Sequence, residues 1–403
     1  MLNSDLEVQQ RSRALEDFEL DVLVSGSIGA VESVRFIRCL RRIGANVHPW
    51  LTKGAEELIN PKALSWAAGG NPVRKSFSGE ASHIAQADAL VISPCTANLL
   101  GKIANGITDS PGSALCASYL GQKKPVILVP NMHQSLFDSP FIQKNKKKLE
   151  NHVFFAESRI EEGKFKFPEP AYLANYVSHI VNKKNASKSV LITMGSTKAY
   201  LDAVRYVSNY SSGKLGSLMS EELYRLGHET HVIKGDCKHQ PINYSRLYLC
   251  DTNLSMENTA RTILEKRVDS AAILAASVLD FEPVEIFPGK IKSSQHDSLQ
   301  ISMKKTSKII AGLNPQSRIK VGFKLETDLN VATAKKLAKK YIDLYQLSLF
   351  VVNDLAAVSE SKHEALIFSP KSQDSINNPT MINTKLELAH AISRHVSQGL
   401  SKY

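Results

Sequence analysis

Residues 204–216 read VRYVSNYSSGKLG, and they follow the run VLIT (190–193) and the tetrad MGST (194–197). A short apolar, β-branched run that ends in small turn residues is a strand signal. The segment after it, KLGSLMSEELYRLG (214–227), places apolar residues at helical spacing. Strand, polar loop and amphipathic helix in that order form the repeating unit of an open parallel α/β sheet. The junction concentrates Asn209, Ser211, Ser212, Gly213 and Lys214. Unpaired backbone N–H groups at a helix start, the helix dipole and a lysine charge together suit a ligand that carries phosphate. The spacing is not that of a Walker A loop, so a general nucleotide P-loop is excluded.

The same alternation runs through the chain. In the first half, DVLVSG (21–26), ANVHPWLT (45–52), ALVISP (89–94) and KPVILVP (124–130) read as strands, with helices over 30–44, 53–59, 97–105 and 112–120. In the second, SVLITMG (189–195) opens a new series, with helices over 213–226, 255–266, 330–342 and 384–397 and a surface loop over 369–380. Short apolar strands separated by helices predict parallel sheets covered on both faces. The expected fold is therefore α/β: two doubly wound, mostly parallel, three-layer domains. Residues 1–19 read as a polar N-terminal extension, 20–183 as the first domain, 184–188 as a linker and 189–403 as the second.

At 403 residues with 43% hydrophobic and 22% charged side chains, the composition suits two packed cores. No apolar run is long enough to span a bilayer, and the polar start is no secretory signal. Cys39, Cys95, Cys116, Cys237 and Cys250 are odd in number and never in CxxC spacing. They predict a reducing, cytoplasmic setting without a metal site or a disulfide framework. The net charge of +11 lies in dispersed groups such as KNKKK (144–148). Without aromatic interleaving or a DNA-reading motif, that charge suits small anionic substrates, and no nucleic-acid partner is expected.

Three polar strand ends stand out in the first half: Ser25-Gly26-Ser27-Ile28-Gly29-Ala30, Ser93-Pro94-Cys95-Thr96-Ala97-Asn98 and Pro130-Asn131-Met132-His133. In an open α/β sheet such ends converge on one edge, where a cofactor binds. The second half adds Ala275-Ala276-Ser277-Val278-Leu279-Asp280-Phe281, Lys290-Ile291-Lys292, Lys305-Thr306-Ser307-Lys308-Ile309, Val321-Gly322-Phe323 with Glu326-Thr327, and Asn353-Asp354.

With SNYSSGK, these pieces resemble in content and order the phosphopantothenate–cysteine ligases over roughly 188–358. The resemblance implies a Rossmann-like domain that joins 4′-phosphopantothenate to L-cysteine through an acyl-cytidylate formed from CTP with Mg²⁺. It assigns nucleotide contacts to Ala275, Ala276, Asp280, Lys290, Lys308, Ile309, Phe323 and Lys340. Substrate contacts fall to Asn209, Ser211, Ser212 and Lys214, with Asn209 and Lys290 catalytic. Where the family reads PDI, this chain reads Ser307-Lys308-Ile309, and one of two lysines before the last strand is Tyr345.

The first half is similar to flavin-dependent cysteine decarboxylases, with PCTANL and PNMHQSLF at the family's two loop motifs and Ser82-His83-Ile84 in the context of its catalytic histidine. That resemblance implies a flavodoxin-like domain holding FMN at Gly26, Ser27, Thr52, Ser93, Cys95, Thr96 and Asn98. It makes His83 and His133 catalytic and Met132 a substrate contact. His133 stands where the family has asparagine, and the family's late cysteine falls near Arg159; no cysteine lies between 117 and 236. The expected protein is a fused coenzyme A biosynthesis enzyme, homo-oligomeric through flavin-domain trimers and ligase-domain dimers. The alternative is a ligase whose FMN domain is structural or acts on another cysteine-terminal substrate.

Overall fold

The computed structural model describes residues 5–75, 84–161, 164–183, 188–242, 244–266, 270–292, 294, 298–313, 319–358, 363–370 and 378–402. The chain divides into two compact units: Met1–Lys184 with Arg225–Gly227, and Asn185–Tyr224 with His228–Tyr403.

In the first unit β1 (Glu19–Val24), β2 (Asn46–Leu51), β3 (Ala89–Cys95), β4 (Val126–Pro130) and β5 (Phe154–Phe155) form one sheet in the order β2-β1-β3-β4-β5. Every pairing in it is parallel. The strands are apolar on both faces because helices cover both. Val22 and Val24 share a core with Phe36, Ile37 and Leu40 of α1 (Ser33–Arg42), and with Leu173 and Val177 further along the chain. Leu23, Leu90 and Ile92 face the other way, toward Leu99 and Leu115. Each such fully buried side chain contributes about 1.5–3 kcal/mol.

Helix boundaries follow local chemistry. The first expected helix opens as a 3₁₀ turn, Ile28–Glu32, before α1. The expected helix over 53–59 ends early as α2 (Lys53–Glu56), and α3 (Pro61–Ala67) restarts after it. Pro61 opens α3 and the Asn60 side chain caps it, which is why the two do not merge. Then come α4 (Ala97–Ala104), α5 (Pro111–Gly121), α6 (Gln134–Phe137), α7 (Pro140–Leu149), the antiparallel hairpin β6 (Arg159–Glu161) and β7 (Lys164–Lys166), and α8 (Pro170–Asn182). In the N-terminal segment Ser12, Ala14 and Leu15 are buried, and Leu15 N–H donates to the Ile43 carbonyl at 3.1 Å.

The second unit is built on eight strands in the order β12-β11-β8-β13-β16-β17-β18-β19. They are β8 (Ser189–Met194), β11 (Glu229–Lys234), β12 (Arg246–Leu249), β13 (Ser270–Leu274), β16 (Ile319–Glu326), β17 (Leu349–Val358), β18 (His363–Phe368) and β19 (Thr380–Ile382). All pairings up to β17 are parallel, and the last two strands join antiparallel. β19 begins inside the stretch read as a loop over 369–380, of which 371–377 lie outside the described residues. Two small hairpins, β9 (Lys198–Tyr200) with β10 (Tyr206–Ser208) and β14 (Phe281–Pro283) with β15 (Met303–Lys305), stand apart from this sheet. The helices are α9 (Lys214–Arg225), α10 (Asn253–Glu265), α11 (Ile309–Gly312), α12 (Val331–Tyr345) and α13 (Lys385–Leu400). Reciprocal capping boxes start α10 at Thr252 and α13 at Thr384.

No helix among the described residues is long and apolar enough to cross a membrane.

Candidate functional site

In the first unit the three polar strand ends meet at the carboxyl edge of the sheet. Ser25 Oγ donates to the Pro94 carbonyl (2.7 Å) and accepts from Thr96 N–H (3.2 Å). Asn131 N–H donates to the Cys95 carbonyl (3.0 Å), and the Ser27 hydroxyl is bonded to the Asn131 side chain. Thr52 N–H donates to the Val24 carbonyl (3.1 Å), bringing the β2 end alongside. Gly26 lies so close to Gly54 that a β carbon on it would sit 2.7 Å from the Gly54 carbonyl carbon.

These residues fit a flavin. The Ser93 hydroxyl is fully buried without a partner among the described residues, and the Thr52 hydroxyl does not cap the helix that follows it. Thr96, in contrast, caps α4 by accepting from Leu99 N–H (3.3 Å), and Asn98 sits exposed in that helix's first turn. Cys95 is buried in the core, and its thiol is pushed up by burial and by the neighbouring Cys116.

Beside this edge opens a cleft of ≈ 560 Å³, lined by Ser27, Asn131, Met132, His133, Arg35 and Arg159 among others. Arg35 pairs with both Glu32 (3.3 Å) and Glu169 (3.5 Å). None of the cysteines lines the cleft. His83 lies outside the described residues.

In the second unit the signature loop enters α9 through Gly213, whose φ of +74° is a backbone conformation that side chains resist. A β carbon there would also meet the Cys237 sulfur at 2.5 Å. Ser211 and Ser212 are half-buried at the start of α9, and Lys214 N–H donates to Ser212 Oγ (3.4 Å). Asn209 Nδ2 donates to the Val278 carbonyl (3.2 Å), which joins the signature loop to the 275–280 loop.

That second loop is fixed at every step. Ala276 N–H donates to Thr193 Oγ1 (3.2 Å) and Ser277 N–H to the Gly195 carbonyl (2.8 Å). Leu279 N–H donates to Thr197 Oγ1 (3.1 Å), while Asn253 Nδ2 (2.8 Å) and the Thr306 hydroxyl (2.6 Å) donate to the Leu279 carbonyl. Asp280, next in line, is ion-paired with Lys308. The Ile309 side chain is buried in one cluster with Leu313. Ala275 and Phe323 are partly buried against the main core of this unit, and Lys290 is exposed in the loop before β15. Lys340 is exposed on α12. No cluster of metal-ligating side chains occurs among the described residues.

Thr197, Asn253, Asp202 and Arg205 escaped the sequence reading. For Asp202 a signal existed: an aspartate that caps its own turn, three residues before an arginine. Asp202 is buried and accepts four hydrogen bonds, from Val204 N–H (2.7 Å), Arg205 N–H (2.6 Å), Ile291 N–H (3.0 Å) and the Arg205 guanidinium (2.7 Å). Burial pushes its carboxyl up, but those donors outweigh burial and hold it at about 2.

Two family models match the chain. Residues 8–182 match the flavoprotein family, and residues 185–400 match the DNA/pantothenate metabolism flavoprotein C-terminal domain. The coenzyme A biosynthesis bifunctional protein CoaBC of Thermococcus kodakarensis is 32% identical over 402 residues, covering 97% of each chain. The protein of the same name from Methanocaldococcus jannaschii is 30% identical, covering 86% of each chain. That from Bacillus subtilis is 28% identical, covering 83% of this chain and 85% of its own. A flavoprotein unit followed by a pantothenate-metabolism unit, matched end to end by such relatives, means that this chain belongs to the bifunctional coenzyme A biosynthesis family.

Proposed function

We propose that the second unit joins 4′-phosphopantothenate to L-cysteine at the expense of CTP, and that the first decarboxylates the product with FMN. The hydrogen bond from Asn209 to Val278 carries the ligase reading, because it sets the signature loop against the loop that ends in Asp280. In this reading Ser211, Ser212 and Lys214 at the α9 start hold the anionic substrate, and the helix dipole adds to the lysine charge. Lys290 and Lys308 neutralise triphosphate oxygens, with Lys340 contributing from α12, and Mg²⁺ would supply further charge neutralisation there. Ala275, Ala276 and the backbone of Ile309 border the nucleotide, and Phe323 offers an apolar face beside the base. Asn209 orients the acyl-cytidylate for attack by the cysteine amine, which expels CMP.

In the first unit FMN would supply reversible hydride acceptance: the equivalent drawn from the cysteine side chain labilises its carboxylate and is given back once CO₂ has left, so the flavin ends as it began. Gly26, Ser27, Thr52, Ser93, Thr96, Asn98 and the Cys95 backbone hold that cofactor, while Met132 and His133 face the substrate and His83 moves a proton. A second reading, in which this unit is structural or acts on another cysteine-terminal compound, draws on the absence of any cysteine from the cleft wall. We place the protein in the cytoplasm as a homo-oligomer of flavin-unit trimers and ligase-unit dimers, acting on small molecules alone.

The test is incubation of the purified protein with 4′-phosphopantothenate, cysteine, CTP and Mg²⁺, with products followed by mass. Both the amide adduct and its decarboxylated form are expected. Adduct without CO₂ loss selects the second reading, and no adduct overturns the proposal.

A further inference from the structure

The stretch 287–291, which displays Lys290, is strapped to 201–205, the segment leading into the signature loop. Phe287 N–H donates to the Leu201 carbonyl (2.9 Å), and Ala203 N–H donates to the Gly289 carbonyl (3.1 Å). The last tie is made by side chains. Ile291 N–H donates to Asp202 Oδ2 (3.0 Å), and the Arg205 guanidinium donates to both Asp202 Oδ2 (2.7 Å) and the Ile291 carbonyl (3.1 Å). Asp202 Oδ1 meanwhile accepts from Val204 and Arg205 N–H, so neither carboxylate oxygen is free to turn.

Both backbone groups of Ile291 are therefore held by one ion pair whose acid is fully buried at its side chain. Lys290 precedes Ile291 directly, and Asn209 lies four residues beyond Arg205. An ion pair with a buried, fully bonded carboxylate and a partly exposed guanidinium fixes geometry more than it adds stability. The lysine side chain is long and exposed, so the placement of its ammonium depends on the backbone that carries it.

We infer that Asp202 and Arg205 are positioning residues for ligation, holding the Lys290 loop in register with the Asn209 loop. This inference rests on the ligase reading above. With Asp202 replaced by asparagine, one oxygen becomes an amide donor facing donors, and the Ile291 tie is lost.

The test combines amide hydrogen exchange at Ile291 with ligation kinetics for Asp202→Asn, Lys290→Gln and the double variant. Asp202→Asn is expected to speed exchange at Ile291 at least tenfold and to lower kcat/KM for ligation at least tenfold. Added to Lys290→Gln, it should cost less than a further twofold, because both changes act through one group. Faster exchange with kcat/KM within twofold of wild type overturns the inference, as do unchanged exchange or losses that multiply in the double variant. Should Asp202→Asn fail to fold, Arg205→Gln decides by the same two readouts, with kcat/KM within twofold again overturning it. Wild-type protein that protects Ile291 yet forms no adduct sinks the ligase reading and leaves Asp202 a structural tie only.

Discussion

Lys308 is ion-paired with Asp280 at the edge of the second unit, and Thr306 N–H, two residues before Lys308, donates to the Asp280 carbonyl at 3.0 Å. Both charged side chains are about half exposed, at 41% and 51%. A pair in that setting contributes only about 0–1 kcal/mol to stability. Lys308→Gln is therefore expected to leave Tm within about 4 °C of wild type. In the proposed reaction it should raise the KM for CTP several-fold while moving kcat less, since it removes charge that binds ground and transition state alike. A steady-state titration of CTP separates the two, and an unchanged KM would remove Lys308 from the nucleotide site.

Asn209 is exposed, and its side chain bonds to the Val278 carbonyl. Asn209→Ala leaves no buried group stranded, so thermal unfolding should barely change. If the amide orients the acyl intermediate, ligation kcat should drop by tenfold or more, on the order of 1.4 kcal/mol or above. Full turnover in this variant would take Asn209 out of the mechanism.

Gly26 faces the backbone of Gly54, and a β carbon there would sit 2.7 and 2.8 Å from the Gly54 carbonyl atoms. Backbone cannot swing aside as a flexible side chain can. Gly26→Ala should thus cost about 1–3 kcal/mol and distort the flavin edge. The purified variant is expected to lose bound flavin absorbance and to melt lower than wild type, with both measured on one sample. Retention of flavin at full occupancy would show that this strand end stands off the cofactor.

Stability should fall in two separate acid windows. His363 accepts from Asn353 Nδ2 at 3.1 Å, and burial, with Lys385 nearby, lowers its pKa to about 4. An unfolded histidine titrates near 6.5, so between about 6.5 and 4 the unfolded chain binds the proton and the folded one does not. Stability is lost as pH falls through that range, and His363→Gln should flatten the slope. Asp202, held at about 2, acts below it. Its contribution is complete above the ordinary aspartate range near 3.9 and disappears as pH falls through about 2. Urea unfolding measured from pH 7 down to pH 3 reads the His363 slope and the onset of the Asp202 one.

The alternation of strands and helices was readable from residues 21–26, 89–94, 124–130 and 189–195 because apolar periodicity and turn residues act over a few positions. The hairpins β9–β10 and β14–β15 escaped that reading. Three-residue strands such as Lys198–Tyr200 are too short to show a period, and they exist only because a partner strand is present. That the Cys95 and Ile309 side chains are buried was not legible, since only packing decides whether a side chain enters the core.

What the sequence by itself determined was the two α/β units and the chemistry of their loops: small hydroxyls, an asparagine and lysines at strand-to-helix junctions. Which loops meet was decided by the tertiary structure. The Asn209–Val278 bond spans 69 residues and the Asp202–Ile291 bond spans 89. Contacts at such separations follow from the order β8-β13-β16 in the sheet, which sets the ends of β8 and β13 side by side. Local propensity carries no record of that order; it arises when each apolar strand face finds the arrangement that buries it.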